Sequence, residues 1–162
     1  MTVKKIDIEI QRKKQSNWDW AAVAASISSY YGGTATERSS QSAFASWATG
    51  MQCGSNPDPR CNQPFSVEAA LKRFNSIEKI EGRMTWPQIV EQINAGQPIV
   101  ALCSIDRKSE SLIIFGYDDI TESIIGEHSF LGPMTCKLAD FPISWQSDAT
   151  WSLSYTTKRN SK

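Results

Sequence analysis

At Gly96-Gln97-Pro98 the sequence changes its period, and no other feature constrains the fold as much. Before this point apolar residues recur at helical spacing; after it the segments are β-branched or alternate. Residues 18–31 place Trp20, Val23, Ala24, Ile27, Tyr30 and Tyr31 on a helical pattern, with Ser16 and Asn17 ahead as candidate caps and Gly32-Gly33 behind as a stop. The richness of this stretch in Ala and Ser lets neighbouring backbone approach closely, so it reads as a central helix buried on most sides. Ser40–Thr49 predicts a second helix, and Gly50–Pro64 is broken into a loop by Gly, Asn and Pro. Ser66–Phe74 gives a short amphipathic helix. Thr85 with Gln88 forms a capping-box pattern ahead of Ile89, Val90 and Ile93, and Gly96 closes that helix.

Five strands are expected beyond Pro98, over Ile99–Ile105, Leu112–Tyr117, Ser123–Gly126, Met134–Leu138 and Thr150–Thr156. A helical half over about residues 16–96 followed by an antiparallel sheet half over about 97–157 predicts a single α+β domain, residues 1–162. Lys+Arg and Asp+Glu stand at 17 each, so no net field favours nucleic acid or an anionic membrane. No stretch approaches the ~20 apolar residues of a membrane span, and the polar N-terminus lacks a signal-peptide core, so a cytoplasmic protein is expected. Cys103 and Cys136 fall in expected strands and read as small buried hydrophobes. Cys53 and Cys61 lie close enough for a local bridge, but a cytoplasmic address favours free thiols. Two cysteines are too few for a structural zinc site.

The most specific string is Gln15-Ser16-Asn17-Trp18-Asp19-Trp20-Ala21-Ala22-Val23-Ala24, followed by Ser26-Ile27 and Tyr30-Tyr31-Gly32. It resembles the nucleophile segment of bacterial standalone papain-like cysteine proteases, in which an Asn-Trp-Cys-Trp-Ala-Ala run sets the cysteine at the start of the central helix. The resemblance continues through Cys61-Asn62-Gln63-Pro64, Ile93-Asn94-Ala95-Gly96-Gln97-Pro98-Ile99-Val100 and Leu112-Ile113-Ile114-Phe115-Gly116-Tyr117-Asp118. It implies a papain-like fold, with the central helix packed on the sheet, over nearly the whole chain. The cysteine position is occupied by Asp19, which cannot supply the thiolate that such a protease needs.

Counting back from Gly116-Tyr117 puts Glu110 where the family carries its histidine base. Glu127-His128 stands where an Asp-Pro pair begins in the family, so the triad-equivalent residues read Asp19, Glu110 and Glu127. His128, the sole histidine, faces away if Glu127 faces the site, and a shift of one residue reverses the two. The family's oxyanion glutamine has two candidates, Gln11 and Gln15, with Gln11 preferred. Trp18 is a candidate for the pocket wall, and Trp20 is assigned to the core by its phase with Ala24 and Ile27.

On its own Asp19 needs no function, because an acid in the first turn of a helix gains about 0.3–1 kcal/mol from the dipole and exposed backbone donors. Glu110 and Glu127 read alone as solvated strand residues. The resemblance, however, brings the three carboxylates into one cleft, where one of them should hold a proton. The first expectation is a pseudo-protease that binds a peptide or small-molecule ligand in the former substrate cleft, with no cofactor, no metal, no nucleic-acid partner and no membrane partner. The second is a non-proteolytic enzyme of isomerase, cyclase or hydratase type, with anionic Asp19 as base and protonated Glu110 as acid. An oxygen-rich site for Mg²⁺, Ca²⁺ or a cationic group is a lesser alternative.

Overall fold

The computed structural model describes residues 2–32, 36–54 and 57–159. Gly33, expected as part of a helix stop, lies outside the described residues. In chain order the elements are β1 (Val3–Lys5), α1 (Asp19–Tyr30), α2 (Thr36–Ser39), α3 (Gln41–Thr49), α4 (Val67–Arg73), β2 (Ile77–Glu81), α5 (Trp86–Asn94), β3 (Ile99–Ile105), β4 (Lys108–Asp118), β5 (Ser123–His128), β6 (Gly132–Lys137) and β7 (Thr150–Thr157). Single 3-10 turns occur at Pro59–Cys61 and Leu138–Asp140. This is an α+β architecture built on a seven-stranded antiparallel sheet, in the order β2-β7-β3-β4-β5-β6, with β1 paired to β4.

The helix ends follow the expected chemistry at three places. The Ser40 and Ser66 side chains accept from Ala43 N and Ala69 N, and Thr85 with Gln88 forms a full capping box. α1 departs from expectation: its N-cap is Trp18, without a side-chain cap bond. The expected caps are engaged elsewhere, because Asn17 bonds to Asn62 through both its backbone and its side chain, and Ser16 Oγ accepts from Asn62 Nδ2.

Strand alternation gives the sheet two apolar faces, each covered by helix. Val100, Ile113 and Tyr155 pack under α1, α3 and α4, where Trp20 through Ser28 of α1 are buried. Ile99, Ala101, Cys103, Leu112, Ile114 and Ile124 pack on the other side with Ile89 and Ile93 of α5. The helical half therefore divides between the two faces instead of covering one.

The strands extend past their apolar stretches. β3 and β4 form a hairpin through Asp106 and Arg107, both at positive φ (50° and 67°), and the polar run Lys108–Ser111 pairs with Leu102–Ile105. β3 begins opposite Ile114, which leaves the end of β4 an open edge that β1 fills at Gly116–Asp118. Gly116 makes this possible, because a Cβ there would stand 2.7 Å from the Lys4 carbonyl oxygen. The sequence does not predict β1, β2 or α2; the two strands are short and largely exposed, and α2 is a single turn of 4 residues. Among the described residues no helix is long and apolar enough to cross a membrane.

Candidate functional site

Asp19 is the first residue of α1, and its carboxylate faces the sheet where β4 and β5 run together. Oδ2 accepts from Ser111 N and Ser111 Oγ, both at 2.8 Å, and Oδ1 accepts from Ser129 Oγ at 2.9 Å. His128 closes β5, and its Nε2 lies 2.7 Å from Glu110 Oε1 on β4 and 3.4 Å from Asp19 Oδ1. The site is therefore a carboxylate–imidazole–carboxylate cluster, made by Asp19, His128 and Glu110 and braced by two serines.

The tautomer of His128 follows from its other nitrogen. Nδ1 accepts from both Phe130 N and Leu131 N at 3.0 Å, so it carries a lone pair, and the ring proton sits on Nε2. Nε2–H then donates to Glu110, with Asp19 as the more distant acceptor. Two consequences follow. The imidazole has no free lone pair with which to act as a base. Nor does it fit a metal, although Asp19, Glu110 and His128 bring potential ligand atoms within 4.8 Å of one another. Freeing Nε2 for a cation would move the proton to Nδ1 and aim it at two backbone N–H groups.

The two carboxyls are perturbed in opposite directions. Burial pushes Asp19 above its ordinary value and the charge of Glu110 adds to this, while His128 and the Ser111 donors pull the other way. Glu110 is held below its ordinary value, chiefly by the hydrogen bond from His128, with burial opposing. The expected roles, anionic Asp19 and protonated Glu110, are thus reversed: if one acid holds a proton, it is Asp19. The reason is that the neutral imidazole donates to Glu110, whereas Asp19 is the more deeply buried of the pair, at 14% against 25% side-chain exposure.

Glu127 is not part of this cluster. It pairs with Ile113, while His128 pairs with Leu112, which shares its face of β4 with Glu110 two residues earlier, so the two side chains point oppositely and only His128 stands beside Glu110. Of the expected pair, His128 is the residue that meets Asp19 and Glu110. Gln11 is also elsewhere: its Nε2 donates to the Ser39 carbonyl and its Oε1 accepts from Gln41, which ties the N-terminal arm to α3. Gln15 contributes its backbone carbonyl to Trp18 N and does not line the cleft. Trp20 is in the core, as its helical phase predicts, and Trp18 joins it there instead of lining the pocket. Trp18 sets its indole N–H on the Cys61 carbonyl, and Trp20, bonded to the Gln63 carbonyl, also contributes to the cleft lining.

A cleft of about 590 Å³ opens beside the cluster. Trp20, Phe65, Val67, Leu102 and Tyr155 give it an apolar wall, and Asp19, Glu110 and Ser111 form one end. A smaller hollow of about 250 Å³ borders Glu110 and His128 on the other side and is lined also by Phe130 and Leu131. Lys13, Lys108 and Glu110 belong to both, so the two spaces meet along the Glu110 side chain.

Cys53 and Cys61 form a disulfide, in place of the expected free thiols. Cys103 and Cys136 are free; burial raises both thiols, Cys103 to about 12. Ser111 and Ser129 were missed as site residues. Each immediately follows a member of the cluster in sequence, which is the one signal that would have flagged them.

No protein-family model matches this chain, and no curated protein sequence matches it. Fold and site together define an α+β protein with a closed carboxylate–imidazole cluster at a helix–sheet junction.

Proposed function

We propose that this chain is a papain-like pseudo-protease that binds a peptide or small ligand in the cleft beside Asp19 and performs no thiol chemistry. One observation carries the reading: each member of the cluster is committed to an internal partner. Asp19 accepts on both oxygens, and His128 uses Nδ1 on two backbone donors and Nε2 on Glu110. A nucleophile–base pair requires a base with a lone pair aimed at the nucleophile, and this imidazole offers none. The two hollows that meet at Glu110 suit an extended ligand, such as a peptide, better than a compact one. The papain-like assignment rests on the Asn17-Trp18-Asp19-Trp20-Ala21-Ala22 string and on a buried helix whose first residue meets the sheet.

The opposed shifts of Asp19 and Glu110 favour a second reading, an acid/base enzyme with Asp19 as acid and Glu110 as base. Selection from a random peptide library separates the two. The protein and a Ser109→Trp variant, which fills the cleft mouth at an exposed strand position, are panned in parallel, and selected peptides are checked for intact mass. Enrichment on the wild type alone, with peptides recovered unchanged, is the expected result. Equal enrichment on both proteins, or cleaved or rearranged peptides, would remove the pseudo-protease reading.

A further inference from the structure

Beside Trp20 of α1 and Val67 of α4, part of the cleft wall lies outside the helices and strands. Pro64, Phe65 and Ser66 form that part, and they follow directly on Cys61-Asn62-Gln63. These three residues hold the start of α1 through five hydrogen bonds: Trp18 Nε1 to Cys61 O, Trp20 Nε1 to Gln63 O, Asn17 N to Asn62 Oδ1, Asn17 Nδ2 to Asn62 O, and Asn62 Nδ2 to Ser16 Oγ. The segment is anchored to the helical layer by the Cys53–Cys61 bridge. Cys53 is fixed in turn to α3, with its N–H on Ser46 Oγ and its sulfur 3.5 Å from Thr49 Oγ1. Both half-cystines are fully buried, at 0% exposure.

We infer that the Cys53–Cys61 disulfide is a folding-time redox gate on the cleft: the wall at 61–66 and the first turn of α1 become ordered only in chain that has been oxidised, and once formed the bridge is shielded from thiols. The covalent step is an ordinary exchange. A small disulfide oxidant such as oxidised glutathione is attacked first by one cysteine thiolate and then, as a mixed disulfide, by the other. It leaves as two reduced thiols while the two cysteines lose two protons and two electrons. Exchange needs a thiolate to reach a sulfur atom, which the buried bridge denies in the folded protein.

The sheet depends on the bridge less directly: β3, β4, β5 and β7 are held by their own ladders and by the face packed on α5, although Val100, Ile113 and Tyr155 share a core with Cys53 and Cys61 on the other face. Loss of the bridge therefore loosens one wall of the cleft and leaves the scaffold. The device places productive folding in an oxidising environment, against the cytoplasmic address expected from the sequence. It depends neither on the identity of the ligand nor on the papain-like reading.

The test is hydrogen exchange followed by mass spectrometry on protein refolded with a glutathione redox couple, on protein refolded with a phosphine reductant, and on the Cys53→Ser/Cys61→Ser variant. In the two unbridged samples, exchange in peptides covering 16–20 and 57–66 is expected to be at least tenfold faster than in the bridged protein, with β3, β4 and β5 unchanged. The folded bridged protein incubated with dithiothreitol should resist alkylation at both cysteines until denaturant is added. Three outcomes overturn the gate: full protection of 57–66 without the bridge, loss of protection spread equally over the sheet, or ready reduction of the bridge in the folded state.

Discussion

His128 Nε2 lies 2.7 Å from Glu110 Oε1 and 3.4 Å from Asp19 Oδ1, so a single ring proton serves two carboxylates unequally. The inequality decides which acid stays ionised. Replacing His128 with Ala removes that proton and also the acceptor for Phe130 N and Leu131 N at a side chain that is 2% exposed. Lost hydrogen bonds of this kind and the cavity left behind predict a loss of roughly 2–4 kcal/mol in urea unfolding. In the folded variant, side-chain NMR should show Glu110 titrating higher than in the wild type.

The opposed shifts of the two acids predict opposed slopes of stability with pH. Folded Asp19 holds its proton more tightly than the unfolded chain, whose value is near 3.8, so its contribution is full below that value and is lost as pH rises through the folded pKa. Glu110 is lowered from 4.5, so its contribution is present above that value and is lost as pH falls through the folded pKa. Asp19→Asn mimics the protonated acid, and its melting temperature is expected to exceed that of the wild type at pH 7, with the gap closing as pH falls toward 3.8. Glu110→Gln should instead be less stable than wild type at pH 7 and approach it under acid. Thermal melts from pH 3 to 8 check both; equal slopes for the two variants would contradict the assignment.

Ser111 braces Asp19 through both its N–H and its hydroxyl. Ser111→Ala removes only the hydroxyl, at a residue that is 1% exposed, and is expected to cost about 1–3 kcal/mol. Much of that cost should vanish in the Asp19→Asn background, because the group that needs the donor is then neutral. A double-mutant cycle in urea measures the coupling; additive losses would mean that the hydroxyl acts through packing alone.

α1, α3, α4, α5 and the central strands were legible because each carries its own signal: the helical apolar period of α1, the Ser40 and Ser66 caps, the Thr85–Gln88 box, and the β-branched runs of β3 and β4; the single turn of α2 was not. β1 was not, since Val3–Lys5 buries nothing and exists because β3 starts too late to cover the end of β4. At the site, Asp19 and Glu110 could be placed from their spacing to neighbouring motifs, but the third member could not. Glu127 and His128 are adjacent, and strand alternation assigns one of them to the cluster only once the register against Leu112 and Ile113 is known. The serines belong to tertiary structure, since Ser111 lies 92 residues from Asp19 and Ser129 lies 110, beyond any local pattern, whereas the bridge spans only 8 residues and was set aside for the expected cytoplasmic address.

The β3–β4 hairpin was hidden for a different reason, since neither Asp106 nor Arg107 is Gly although both hold positive φ. A two-residue turn of this kind favours Asn-Gly. Asp106→Asn with Arg107→Gly is expected to raise stability by about 0.5–1 kcal/mol by relieving the left-handed Arg107. The change lies on the hairpin that carries Glu110, so chemical denaturation and the Glu110 titration together check that the gain leaves the cluster intact.

If Asp19, Glu110 and His128 stand where a papain-like protease carries its cysteine, histidine and orienting acid, chemistry should return only when all three are changed together. Asp19→Cys alone puts a thiol at the start of α1, but beside it stand an anionic Glu110 and a neutral imidazole with no lone pair to offer. Glu110 raises the thiol pKa and the helix end lowers it, so slow alkylation by iodoacetamide at pH 6 is expected. The triple change Asp19→Cys/Glu110→His/His128→Asp pairs the thiol with an imidazole held by a carboxylate, the arrangement that stabilises a thiolate. Its alkylation at pH 6 should be at least tenfold faster than that of the single variant, with circular dichroism confirming that both are folded. Equal rates in two folded variants would mean that the three positions do not form a protease-like triad, and would take the papain-like reading of the cleft with them.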